Sequence, residues 1–390
     1  MIPMPNSVIS RAQQSTTRRR AVARMAGLVS ALALTATLTA LPASAAGPRT
    51  LASGLVTPLS VDAEGKAPIH LTQNFAGTVS AVDGRGRIST VRQVDPGAGE
   101  SVHGVSITRD GVIYVVQDAD GPNGRGPTST VVRTTRSGTR TVSADLWSHE
   151  TKRNPDGRQK YGLEGLGRSC TRQVQAFQDA HPDGPPLLPY RGIVESNAYQ
   201  TSVDGNTVWV ADAAANTVLA VDTRRGSIRT VAVLPPVRTR LDRTLFTAIN
   251  ESLGGGLPEC IIGRTFRSEA VPTDVRPGPD GYLYVSTLGG GLGEVNPQSV
   301  VYRVNPRSGS TRPVATGLFG TTGLDVDRHG NIYVAELFGG KVSVIRRGSS
   351  RTRTVSTAVQ PADVVVDGKR LLVTTDALGE GKLVSLPLGR

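Results

Sequence analysis

Acids and amides recur at matched places in this chain of 390 residues. Asn197, Asp274 and Asp363 stand at the start of short apolar strand patterns, with Glu195 just before the first of them. Asp118, Asp212, Glu336 and Asp376 each close the strand that follows such a start. Carboxylate and amide oxygens suit a hard cation such as Ca²⁺, and a bound cation polarises a substrate oxygen for hydrolysis. Glu195, Asn197, Asp274 and Asp363 are therefore a candidate metal set. His103, Asn197, Asp212, Thr322, Glu336 and Asp376 are a candidate set for a polar ligand without a metal. A third reading is local: a strand-terminal Asp often caps the next loop by accepting from backbone N–H groups. All three readings stand on sequence alone.

Other chemistry has less support. His103 begins a strand and has the ordinary pKa range of a general base. His329 falls in a hairpin turn and reads as solvated, and His149 and His181 lack metal-ligand spacing. No Gly-x-Ser-x-Gly elbow is present, so a hydrolase triad is not supported. The glycine run Gly289 to Gly293 leads into a strand, not a helix, and reads as a flexible loop rather than a phosphate cradle.

The elements that must position these residues repeat. Thr321 to Val326, a turn at Asp327–Asn331, and Ile332 to Glu336 form one hairpin pattern of alternating or β-branched residues. The pattern returns around Asp280-Gly281, Asp110-Gly111, Asp367-Gly368 and Asp204-Gly205, with a degraded copy around Glu64-Gly65. A third and a fourth strand follow each hairpin, except that no fourth strand follows Lys382 to Leu386. Arg49 to Leu55 resembles the fourth-strand segment Arg312 to Leu318 and supplies the missing one. The sequence therefore predicts an all-β, six-bladed β-propeller over 46–390, its last blade completed by the N-terminal strand. Closure of this kind removes free sheet edges.

Two intervals exceed a blade connection, at about 146–194 and 235–270, both emerging on one face of the disc. Helices are expected at Gln173 to Ala180 and Leu241 to Asn250. Insertions of this length carry function more often than fold. They hold the two cysteines of the chain, Cys170 and Cys260, which in an exported protein argue for a disulfide pinning two lids together.

Export is expected from residues 1–45. Arg18-Arg19-Arg20 and Arg24 precede a mild Ala/Leu/Thr run, Gly27 to Leu41, and Ala43-Ser44-Ala45 gives a small-residue cleavage site. The run is too short for a stable span, so the mature chain is expected outside the cell without a membrane helix, by either the general or the twin-arginine route. The chain carries +12, of which five positives precede that run. Its arginines are scattered through turns and outer strands, which reads as a solvated surface rather than a nucleic-acid footprint.

Several segments resemble a known family. They are Glu150 with Asn154-Pro155-Asp156-Gly157 and Tyr161-Gly162, Val194 to Tyr199, Val210 to Thr217, and Val271 to Asp274 followed by Gly278 to Gly281. Together they look like the ScyD/ScyE family of secreted propellers, while the hairpins alone are similar to NHL-type repeats. The resemblance spans about 50–388 and implies fold and export, without naming a reaction. Where relatives carry a longer loop, this chain has Gly289 to Glu294. The leading expectation is a secreted, non-catalytic binding or interaction propeller, a monomer whose partner is a small molecule, glycan or extracellular protein. The alternative is a Ca²⁺-dependent hydrolase or lactonase using the channel-mouth carboxylates. A quinone-dependent sugar dehydrogenase would need a basic, His-bearing pocket, for which only His103 qualifies.

Overall fold

The computed structural model describes residues 47–65, 67–119, 127–182 and 184–388. The expected export signal at 1–45 lies outside them. Among the described residues, seven four-stranded antiparallel sheets form, six of them blades of a ring. The innermost strands, in order, are Ser60–Asp62, Glu100–Thr108, Ala198–Asp204, Pro272–Pro277, Thr321–Val326 and Asp363–Asp367. We number blades 1 to 6 by these strands. The ring closes as expected. Arg49–Val56 pairs antiparallel with Glu380–Pro387 of blade 6, with Thr50 opposite Val384 and Ala52 opposite Leu383.

The period-two side-chain alternation of a strand explains why blades stack. In blade 3, Val208 and Val210 face blade 2 and pack with Ile113, Val115 and Val131. Trp209 and Ala211 face the other way, against Val275, Leu283 and Val285 of blade 4. Strands buried on both faces read as nearly continuous apolar runs, as Val208 to Ala211 does.

The seventh sheet is not a blade. Its strand order is Tyr190–Arg191, Lys160–Leu163, Thr265–Ser268, Val237–Arg240. The two central strands come from different insertions, with Gly162 opposite Arg267 and Leu163 opposite Phe266. The insertions are thus one lid with a shared sheet, not two separate flaps. Three helices accompany it: α1 (Leu146–Arg153), α2 (Arg168–Ala180) and α3 (Arg243–Ser252). Asp145 caps α1 by accepting from Ser148 N, and Asp242 caps α3 by accepting from Leu245 N. Helix α2 buries Cys170, Val174 and Phe177, one face at i, i+4 and i+7. With Leu245, Phe246 and Ile249 of α3 they make an apolar core of the lid's own. The Cys170–Cys260 disulfide joins the two insertions.

Two expectations need correction. Helix α1 and the lid strands go beyond the sequence reading: α1 buries only Leu146 and Glu150 in eight residues, and the strands are two to four residues long, so neither shows an apolar period. Gly289 to Glu294 is not a free loop: Gly291–Glu294 forms a 3₁₀ turn, and Leu292 and Val295 pack against the lid core. No helix among the described residues is long and apolar enough to cross a membrane.

Candidate functional site

The predicted site residues separate into two groups. The first lies on the ring axis. An innermost strand is an edge strand, so its channel-side N–H groups lack a ladder partner. Carboxylates from the preceding blade meet them: Asp62 Oδ2 accepts from Ile107 N at 2.7 Å, and Asp274 Oδ2 from Leu324 N at 2.9 Å. Asp325 Oδ2 accepts from Val366 N at 2.7 Å, and Asp363 Oδ2 from Val61 N at 2.8 Å. Hydroxyls add the reverse polarity, with Thr273 donating to Thr321 O and Thr322 donating to Ala362 O. Asp274 and Asp363 are fully buried, and Arg276, 6% exposed, stands between them. Its Nε lies 3.5 Å from Asp274 Oδ2 and its Nη2 4.0 Å from Asp363 Oδ2. Burial works against the Arg276 charge, but Asp274, Asp325, Asp363 and Asp62 outweigh it and hold the guanidinium protonated. Desolvation raises Asp274 and Asp363, and pushes Asp325 up to about 6.

The Arg276 guanidinium is thus the counter-charge to these buried carboxylates. Among the described residues, no group of three or more His, Cys, Asp and Glu side chains is disposed to hold a metal ion. The four residues of the proposed metal set are not brought together: Asp274 and Asp363 face Arg276, while Glu195 and Asn197 line a cavity beneath the lid. Several other candidates act locally. Asp212 Oδ2 accepts from Ser196 Oγ, and its Oδ1 accepts from Asn197 N and Ala215 N. Glu336 accepts from Phe319 N and Ser343 Oγ, and Asp376 from Thr375 Oγ. His103 is 6% exposed, with Nε2 within 3.2 Å of Asn74 Nδ2 and 3.1 Å of Ser101 Oγ. Burial pushes it down to about 4, so it is neutral in ordinary buffers.

The second group sits where the lid meets blades 3 and 4. Leu146 and Glu150 share the inward face of α1, one turn apart. Glu150 is 2% exposed, its Oε1 has no hydrogen-bond partner among the described residues, and desolvation with the charges of Asp212 and Asp156 pushes it up to about 9. Asp156 Oδ2 accepts from Tyr161 Oη and Asn216 Nδ2, both at 3.0 Å. Asn216, at φ 55°, also accepts from Val271 N through Oδ1 at 3.0 Å. That bond helps hold Val271, a β-branched residue, at φ 53°. Several of the segments that carried the family resemblance thus meet here: Asp156, Tyr161 and Asn216 are joined by buried hydrogen bonds, with the charges of Glu150 and Asp212 close by.

Beside the network is a cavity of about 140 Å³, lined by Tyr190, Glu195, Asn197, Phe266, Glu269, Leu288 and Glu294 among others. Tyr190 Oη donates to Glu269 Oε1 at 2.9 Å. Burial, opposed by that hydrogen bond, pushes Glu269 up to about 7. A second, apolar cavity of about 300 Å³ runs into the lid core and shares Pro185, Phe266, Gly291 and Glu294 with the first. Sequence reasoning missed Glu269, Glu294 and Tyr190, which lie in the insertions and the glycine turn rather than in the repeat. It also missed Asp62, Asp325 and Arg276, although inner-strand alternation marks all three as channel-facing.

No family model and no curated protein sequence matches this chain. Its fold is similar to that of several solved propellers. One is the PQQ-bound aldose sugar dehydrogenase of Streptomyces coelicolor, at 12% identity over 87% of this chain and 96% of that one, TM-score 0.52. Another is a provisionally assigned glucose dehydrogenase of Thermus thermophilus, at 15% identity over 87% and 99%, TM-score 0.52. A third is a provisionally assigned gluconolactonase, at 15% identity over 89% and 93%, TM-score 0.51. Identities this low establish the propeller fold alone.

Proposed function

We propose that this chain is an exported, lidded ligand-binding propeller that holds a small molecule between the lid and blades 3 and 4. The observation that carries the reading is the cavity under the disulfide-joined lid, lined by Glu195, Asn197, Glu269 and Glu294. Polar groups converging in a partly apolar concavity are the usual make-up of a small-molecule site. Export is supported by the disulfide and by the basic-then-apolar pattern of residues 18–45. In the ScyD/ScyE reading, part of the cavity wall (Glu195, Asn197, Ala213, Ala214 and Val271) comes from the family segments.

Native mass spectrometry of protein recovered from culture medium tests the reading. A retained small molecule is expected, and it should be lost in Gly291→Trp. Gly291 borders both cavities, and a Cβ there would meet nothing within 4 Å, so the variant should melt like the parent. Recovery of an empty parent protein from its native source would overturn the proposal.

One observation favours a hydrolytic variant of the same reading. Glu269, near half-protonated at neutral pH, shares the cavity with Glu195, and paired carboxyls in unlike environments can serve as acid and base. Similar propellers include the provisionally assigned gluconolactonase. Turnover of a lactone or ester panel, abolished in Glu269→Gln, would support it; no turnover by the parent would leave binding as the function.

A further inference from the structure

The two cavities under the lid share a wall, and their linings differ. The larger is walled mostly by apolar residues, Leu163, Leu241, Ile249, Leu257 and Ile261 with Phe266 at the junction, and also by Glu251 and Ser252. The smaller gathers Glu195, Glu269 and Glu294 around Tyr190 and Asn197. Among the described residues, no Lys, Arg or His lines either one, in a chain with 44 Lys and Arg against 32 Asp and Glu. Glu294 lines both cavities and makes no hydrogen bond or ion pair with any described residue; burial alone raises its pKa. Glu294 is only half-buried, so a cation beside it replaces part of a lost hydration shell rather than rescuing a fully dry charge.

Resting on the lid-cavity reading above, we infer that the ligand is an amphiphilic amine, its apolar tail in the larger cavity and its protonated amine among Glu195, Glu269 and Glu294. An anionic head would meet only like charge there. A small polyol would leave the apolar arm, about 300 Å³, filled with poorly bonded water. An ammonium supplies the counter-charge that Glu294 lacks, and the Phe266 and Tyr190 rings at the arm's junction and wall are suited to a cation.

The test is calorimetric titration of the intact, oxidised protein at pH 7.5 with ethylamine, hexylamine, decylamine and decanoate, all below their aggregation concentrations. Affinity should climb along the amine series by about threefold to fourfold per methylene while the tail enters the apolar arm. Decanoate should bind at least about tenfold more weakly than decylamine, a gap of one charge contact. Glu294→Gln, which removes no internal hydrogen bond, should keep the parent melting temperature and weaken decylamine about tenfold. Equal binding of decanoate and decylamine, a flat amine series, or an unaffected Glu294→Gln variant would each overturn the inference. If the probes fail while native mass spectrometry still finds a retained molecule that Gly291→Trp expels, the amine assignment falls and the lid cavity stands. If both fail, the cavity reading falls with it.

Discussion

Glu150 shows how one side chain can be held against its own preference. The helix period that buries Leu146 one turn earlier also turns this carboxyl inward, towards Asp156, Asp212 and Glu195. Its folded value of about 9 lies above its ordinary 4.5. For an acid raised in this direction, stability is fully present below about pH 4.5 and is lost as pH rises through about 9. Asp156, Asp212 and Glu269, at about 6, 6 and 7, act in the same direction over a narrower window. Glu150→Gln should therefore stabilise the protein at pH 8–9, by on the order of 1–3 kcal/mol, and change little at pH 4. Melting temperatures of parent and variant across that range check it: a constant gap between the two curves would refute the assignment.

At the level of elements, neighbouring inner strands come closer than a side chain allows. A Cβ on Gly323 would stand 2.7 Å from Asp363 Cα and 2.9 Å from Ala362 O, and one on Gly104 2.6 Å from Gln200 Cα. Gly323→Ala should force blades 5 and 6 apart and cost about 2–3 kcal/mol. Gly291→Ala, with open space around it, serves as the neutral control in denaturant titration. The blades were legible in the sequence because each hairpin repeats one alternation, so that Leu324 and Val326, or Val208 and Val210, declare their facing at sight. The lid was less so. Its strands are two to four residues long, too short to show a period, and Lys160–Leu163 pairs across about a hundred residues with Thr265–Ser268. The disulfide partners were evident because the chain has no other cysteine. The carboxylates were found by position, but position alone did not separate Asp274 and Asp363, which join blades, from Glu195, which faces the lid cavity.

Taken whole, the molecule is a ring whose stability rests on its seam. Deleting Arg49–Val56 would strip the partner from Glu380–Pro387 and leave Ala52 and Leu55 missing from the core between blades 6 and 1. Such a variant should lose its cooperative melting transition and aggregate through the exposed edge. Circular dichroism and size-exclusion chromatography would read this out, and a monomer melting like the parent would show that the seam is dispensable. The seam also imposes a timetable. Asp363 and Val61 meet across 302 residues of chain, and Arg49–Val56 waits for Glu380–Pro387 before it has a partner. Contacts so remote in sequence form slowly, and a ribosome that stops short leaves a fan rather than a wheel. The architecture thereby tells finished copies from unfinished ones, since only a full-length chain can hide both flanks from proteases.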